Sequence, residues 1–298
     1  MSLVKKLGLV SSAALLLAAC GNEETDTTEE TTEETTEETT EDSSDETAED
    51  ASSQEEFHFE IASHTEPMVD VVELAIEELE GQDGYTADLL SVNDNIQYNE
   101  AVLNDEAFAS FAQHEPFMEL FNEERDGDLV AIQPIYNAIV GYYAPEYESI
   151  DDVEDGAEVV IASDVANTAR SLFILEQHNL ITLDGEEETF PTLDNIEENP
   201  HNLEFVEMEV SNTAQGYLDG YDLVFSYPTF IEQVADLTPD DALFLEDDPD
   251  GLFAISVVIR EENADTPEAE ALVDAFTSEP VIEFLDELAE SGHLERAF

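Results

Sequence analysis

Asn167 and Arg170 lie three residues apart in 163-SDVANTARSLFILEQHNLI-181, directly after the apolar run 158-EVVIAS-163. That spacing puts both at the first turn of a helix that follows a strand. Free backbone N–H groups and the helix dipole favour negative charge there. An arginine can add a bidentate grip on a carboxylate. The residues equally suit an arginine bridging nearby surface acids. A second pair, Gln113-His114, falls just before Pro116, at another helix start. It can face a ligand, or the histidine can hydrogen-bond to helix backbone. A third group, Tyr227-Pro228-Thr229-Phe230, follows the strand-like 222-DLVFSY-227, where side chains either point into a cleft or pack as an aromatic turn.

Catalytic signatures are missing from the sequence. It has no G-x-S-x-G, no Walker loop and no G-x-G-x-x-G. The six histidines, His58, His64, His114, His178, His201 and His293, show neither H-x-x-x-H nor H-x-H spacing, so no metal and no cofactor is expected. Acid pairs are too abundant for a catalytic carboxylate pair to be distinguished. An enzyme using His114 as acid/base would need a partner group that the neighbouring sequence does not offer.

The elements that would position these residues alternate. 57-FHFEIAS-63 has period two, and the next segment carries Val69, Val72, Ala75, Ile76 and Leu79 on one helical face. 85-YTADLLSV-92 reads as a strand, and 98-YNEAVLND-105 and 116-PFMELFNEE-124 as helices. 128-DLVAIQPIYNAIVGYYAP-145 reads as two strands interrupted at Pro134. Strands follow at 158–163, 203–208, 222–227 and 253–260, with a helix over 166–181. Two closing helices open at Thr266-Pro267 and Ser278-Glu279-Pro280, each a cap residue with proline just inside. This βα alternation predicts an α/β fold with mostly parallel sheets. The length suits two lobes: 57–138 with 250–298 forming one and 139–249 the other. Ligands in such folds sit at the carboxyl ends of strands.

Charge bounds the function classes. Of 298 residues, 77 are Asp or Glu and six are Lys or Arg, for a net charge of −71. Only Arg125, Arg170, Arg260 and Arg296 are basic beyond Lys6. Such a surface repels nucleic acid and anionic membranes. At about 1 M salt the Debye length is only about 3 Å, so the charge fits a protein facing concentrated salt. The single cysteine, Cys20, excludes an internal disulfide. It ends 1-MSLVKKLGLVSSAALLLAAC-20, in which two lysines precede an apolar run too short to span a membrane, as in a signal peptide. Leu17-Ala18-Ala19-Cys20 looks like a bacterial lipobox, which makes Cys20 the expected lipidation site and the outer face of a membrane the expected location. Residues 21–56, with the repeat 27-TTEETTEETTEETTED-42, read as an extended acidic tether.

The lipobox, 99-NEAVLNDEAFASFAQHEPFMELFNEE-124, 128-DLVAI-132, 163-SDVANTARSLFILEQHNLI-181, 199-NPHNLEFVEME-209 and 294-LERAF-298 together resemble the NlpA/MetQ lipoproteins. These are methionine-binding components of ABC importers. The resemblance covers essentially all of 57–298. It implies a two-lobed periplasmic-binding-protein (type II) fold, with a monomer closing on one amino acid and docking on a permease driven by an ATPase. The family's pocket segment F-Q-H-x-P-Y is matched by Gln113, His114 and Pro116, and its carboxylate-gripping N-x-x-R by Asn167 and Arg170. Departures occur as well. The family's Phe is Ala112 here, its Tyr after Pro is Phe117, and a family tyrosine falls at Asn95. Its ligand-binding N-G-N reads Tyr227-Pro228-Thr229. The resemblance therefore implies a ligand wall of Arg170, Asn167, His114, Gln113, Phe117, Tyr227, Thr229 and Asn95, with a reshaped side-chain slot. The altered positions also admit a competing role, a surface adhesin or interaction lipoprotein that no longer transports.

Overall fold

A computed structural model describes residues 56–184, 190–248 and 251–298. The leader with Cys20, and the acidic stretch as far as residue 55, lie outside the described residues. So does the expected lobe boundary at 249/250.

In chain order the elements are β1 (Phe57–Ser63), α1 (Met68–Glu80), β2 (Tyr85–Ser91), α2 (Gln97–Leu103), β3 (Ala109–His114), α3 (Glu115–Arg125), β4 (Leu129–Ala138) and β5 (Gly141–Tyr143). Then come β6 (Glu158–Ala162), α4 (Val165–Gln177), β7 (Thr182–Leu183), β8 (Ile196–Glu198), β9 (Glu204–Met208), α5 (Gln215–Asp219), β10 (Leu223–Ser226) and α6 (Pro228–Ala235). The chain closes with β11 (Phe244–Leu245), β12 (Ile255–Arg260), α7 (Pro267–Phe276), α8 (Glu279–Glu290) and β13 (Leu294–Arg296).

Two sheets carry the fold. The first has the order β13-β4-β12-β3-β1-β2, the second β11-β5-β10-β6-β9. Each has its own apolar core, one built around Phe59, Val72, Phe111 and Leu272, the other around Val159, Ile161, Leu172 and Phe225. Helix α1 shows how the sequence pattern becomes packing. The buried face is Met68, Val71, Val72, Ala75 and Leu79, so of the expected positions Val72, Ala75 and Leu79 are buried and Val69 and Ile76 only half-buried. Full burial of each large apolar side chain is worth about 1.5–3 kcal/mol.

The sheets are mixed rather than mostly parallel. β1 pairs in parallel with β2 and β3, and β6 with β9 and β10. β12, however, returns from the second sheet and inserts antiparallel between β3 and β4. β13 also pairs antiparallel with β4, and β5 with β10. A returning strand enters from the opposite end, so it cannot run with its neighbours. The chain passes between the sheets at 138–141. There Gly141 has no room for a side chain, because a Cβ would stand 2.7 Å from the Phe244 carbonyl oxygen.

Several elements differ from the sequence expectation: β7, β8, α5, β11 and β13 were not expected, and α4 ends at Gln177 rather than continuing to 181. Residues 109–114 form β3, all six buried, where helix entry was expected directly. β4 runs unbroken through Pro134, because the ladder shifts register beside its partner Ser256. Tyr227-Pro228 opens a helix, α6, with proline in its first turn, and is not simply a turn.

Candidate functional site

Four strands of the two sheets end around one cleft. His64 and Thr65 follow β1, Gln113 and His114 end β3, Asn167 lies in the first turn after β6, and Tyr227 follows β10. The cleft is also lined by Met68, Asn95, Tyr98, Ala112, Phe117, Thr229, Phe230, Ile255 and Leu294. Seven of the eight residues expected from the sequence thus line it: Asn95, Gln113, His114, Phe117, Asn167, Tyr227 and Thr229. Arg170 does not.

Arg170 is fully buried behind the wall, at 0% exposure. Its Nε donates to Glu246 Oε1 at 2.8 Å and its Nη2 to Glu246 Oε2. Nη2 also donates to the Ala138 carbonyl at 3.3 Å, and Nη1 to the Tyr227 hydroxyl at 2.9 Å. A guanidinium has five N–H donors, so one Nη1 hydrogen remains. The cation also lies over the rings of Phe253 and Tyr227, at 4.6 and 5.2 Å. Burial works against its charge, but Glu246 and Tyr227 more than offset that and hold its pKa above the ordinary value.

The remaining groups are linked in a chain. The Tyr227 hydroxyl donates to Asn167 Oδ1 at 2.8 Å. Asn167 Nδ2 donates to both Asp164 oxygens, at 3.0 and 3.1 Å, and Asp164 Oδ1 accepts the Asn167 backbone N–H at 3.0 Å. Asp164 is thus the N-cap of α4 and fills the anion position expected of that helix end. Burial raises its pKa, opposed by the Asn167 hydrogen bonds.

His114 fulfils both readings of its position. It caps α3, its Nδ1 accepting the Phe117 N–H at 3.3 Å, and it also forms cleft wall. Burial, reinforced by the Arg170 charge, lowers its pKa to about 3, so the imidazole is neutral. Its ring meets Phe253 edge-on at 5.1 Å. Gln113 is paired with Asn99 through both carboxamides, Asn99 Nδ2 donating to Gln113 Oε1 at 2.7 Å. His64, stacked 5.5 Å from Tyr98, is also held below its ordinary pKa by burial. Thr65 Oγ1 is buried with no hydrogen-bond partner among the described residues.

Sequence reasoning missed Glu246, Asp164 and Asn99 in the hydrogen-bond network, and His64, Thr65, Met68 and Tyr98 in the lining. Asp164 was detectable as a cap residue before 165-VANT-168. Across the cleft rim, His293 Nε2 lies 3.0 Å from Glu232 of α6, which ties the C-terminal segment to the second sheet. Away from the cleft, the fold brings His58, Glu60 and Asp88 together at the surface of β1 and β2, an exposed imidazole among acids.

Comparison with known proteins bears on the fold and the family. The profile of the NlpA lipoprotein family matches residues 59–297. The "Methionine-binding lipoprotein MetQ" of Bacillus subtilis is 30% identical over 77% of this chain and 81% of its own length. A crystal structure of a YaeC-family lipoprotein from Enterococcus faecalis is 37% identical, covering 81% of this chain and 99% of that one, with a TM-score of 0.74. A periplasmic substrate-binding protein of an ABC transporter from Coxiella burnetii is 25% identical, over 80% of this chain and all of that one, with a TM-score of 0.72. The two-sheet, cleft-forming fold is therefore that of the periplasmic substrate-binding proteins, and the chain belongs to the NlpA lipoprotein family.

Proposed function

We propose that this protein is the ligand-capturing component of an ABC importer, and that its ligand is methionine or a related small amino acid. The observation that carries this is the cleft itself. It lies at the carboxyl ends of β1, β3, β6 and β10 in a chain that shares its family with a methionine-binding lipoprotein. Asn95, Gln113, His114, Phe117, Asn167, Tyr227 and Thr229 would form the wall that touches the ligand. Met68, Tyr98 and Phe117 offer the ring edges and soft apolar contacts that suit a thioether.

In this reading the segments 57–138 and 250–298 act as one lobe and 139–249 as the other, closing on the ligand. The closed form docks on a permease, and the ligand leaves chemically unchanged. Cys20 carries the lipid that holds a monomer at the outer face of the membrane. Among the described residues no helix is long and apolar enough to cross a membrane. Family membership and the formed cleft disfavour the adhesin reading. The test is calorimetric titration of ligand-stripped protein in molar NaCl, with L-methionine first and then other amino acids and their derivatives. Heat from methionine or one of its analogues is expected. Silence from the whole panel would refute the assignment.

A further inference from the structure

The edge of the first sheet carries a side-chain cluster that the cleft does not use. β2 is the edge strand and pairs in parallel with β1, so His58 stands opposite Thr86 and Glu60 opposite Asp88. Side chains alternate across a strand. Phe59, Ile61 and Ala87 turn into the core, and His58, Glu60, Thr86 and Asp88 share the other face. That face is open, with the His58 side chain 46% exposed and that of Asp88 77%.

The imidazole and the distances set this cluster apart from a patch of acids. His58 Nε2 lies 3.4 Å from Glu60 Oε2 and 3.7 Å from Asp88 Oδ2. Both separations exceed the roughly 2.7–3.2 Å of a sound N–H···O hydrogen bond. They match another geometry. Two ligand atoms bonded at about 2.0–2.1 Å to one tetrahedral ion stand about 3.4 Å apart. The three ligand atoms here all lie within 4.8 Å of one another. The ring is also oriented from its other side, where Nδ1 is 2.9 Å from the Thr86 hydroxyl. With Nδ1–H donating to Thr86, the Nε2 lone pair is directed at the two carboxylates. They repel it, and a cation between them removes the repulsion. A metal-bound histidine is held in this way, one nitrogen on the ion and the other on an oxygen. The sequence shows only His58-Phe59-Glu60, because the third ligand comes from the neighbouring strand.

We propose that His58, Glu60 and Asp88 bind one divalent transition-metal ion such as Zn²⁺, with Thr86 orienting the imidazole and water in the fourth position. Carboxylates alone suit Ca²⁺ and Mg²⁺, and the imidazole nitrogen turns the preference toward Zn²⁺. The ion clips edge strand β2 to β1 and neutralises two carboxylates in a chain of net charge −71. None of the three ligands lines the cleft, so the site stands independently of the ligand assignment.

The test is titration of the chelator-treated full chain with Zn²⁺ in about 2 M NaCl, where diffuse attraction to the acidic surface is screened. One equivalent is expected to bind and to resist a large excess of Ca²⁺. Thr86→Val, which removes only the orienting hydroxyl, should weaken it about tenfold, and His58→Gln by more. Glu283→Gln, an exposed acid on α8, should leave it unchanged. Co²⁺ in the same site should show the visible absorption of a four-coordinate ion and lose it in His58→Gln. All the substituted positions are at least partly exposed, so the variants leave the core intact. Zn²⁺ uptake unchanged in His58→Gln, or displaced by Ca²⁺, would show attraction to the acidic surface only and overturn the inference. So would a wild type that takes up no Zn²⁺.

Discussion

Glu246→Ala offers the sharpest test of the buried network. Arg170 has 0% exposure and the Glu246 side chain 6%, so water cannot take over from the lost carboxylate. The change removes both charge-assisted hydrogen bonds from Nε and Nη2 and leaves the guanidinium with neutral oxygens only. Breaking a buried pair by removing one partner costs about 3–5 kcal/mol. For a protein of this size each kcal/mol shifts the midpoint by about 2–4 °C, so a fall of roughly 6–20 °C is expected. The assay is thermal unfolding followed by circular dichroism in about 2 M NaCl, where exposed charges are screened but this pair is not. Arg170→Met and the double variant complete the cycle. Because the second change removes a charge that the first has already orphaned, the double variant should be far less destabilised than the sum. A drop below about 2 °C for Glu246→Ala would refute the reasoning. So would a cycle additive within about 0.5 kcal/mol, since groups in contact should couple more strongly than that.

Three further outcomes are expected. Because burial holds His114 down to about 3, the unfolded chain takes up its proton first as pH falls below ~6.5, and stability is lost between those values at up to about 1.4 kcal/mol per unit. Denaturant unfolding at pH 7 and pH 5 should therefore show a loss about 2 kcal/mol smaller in His114→Gln, and parallel losses would contradict the assignment. Asp164→Ala should cost about 1 kcal/mol through loss of the α4 cap and leave Asn167 mobile, measurable by chemical denaturation and by amide exchange at Asn167. With a net charge of −71, the midpoint should rise as NaCl increases from ~0.1 to ~2 M, and a flat response would argue against self-repulsion as the dominant salt effect.

What the sequence made legible follows from which interactions are local. The α1 face repeats at helical spacing, and Thr266-Pro267 caps its helix with Thr266 Oγ1 accepting the Ala269 N–H. β3 was missed because a central strand covered on both sides shows no alternation. Its Gln113 and His114 are buried by pairing with Asn99 and the Phe117 N–H, partners 14 and three residues away. Pro134 signalled a break, yet β4 passes through it. The residue is exposed, and the ladder slips at its partner, so no hydrogen bond is demanded of it.

The wall residues were legible for a different reason from the network behind them. Asn167, His114 and Tyr227 each sit where a strand ends, and the parallel pairing of β1 with β3 and of β6 with β10 brings such ends to one rim. Arg170 to Glu246 spans 76 positions, and among 77 carboxylates no local pattern marks the one that will meet the arginine. Only the order of the second sheet does so. β11 lies on β5 at its edge, and the Glu246 N–H donates to the Val140 carbonyl at 2.9 Å, which fixes Glu246 beside the crossover at Ala138 whose carbonyl Arg170 also bonds. A residue can thus be placed correctly at a helix start and still point its charge inward. Which partner takes that charge depends on strand order, and that decides whether the arginine grips a ligand or only orients the tyrosine in front of it.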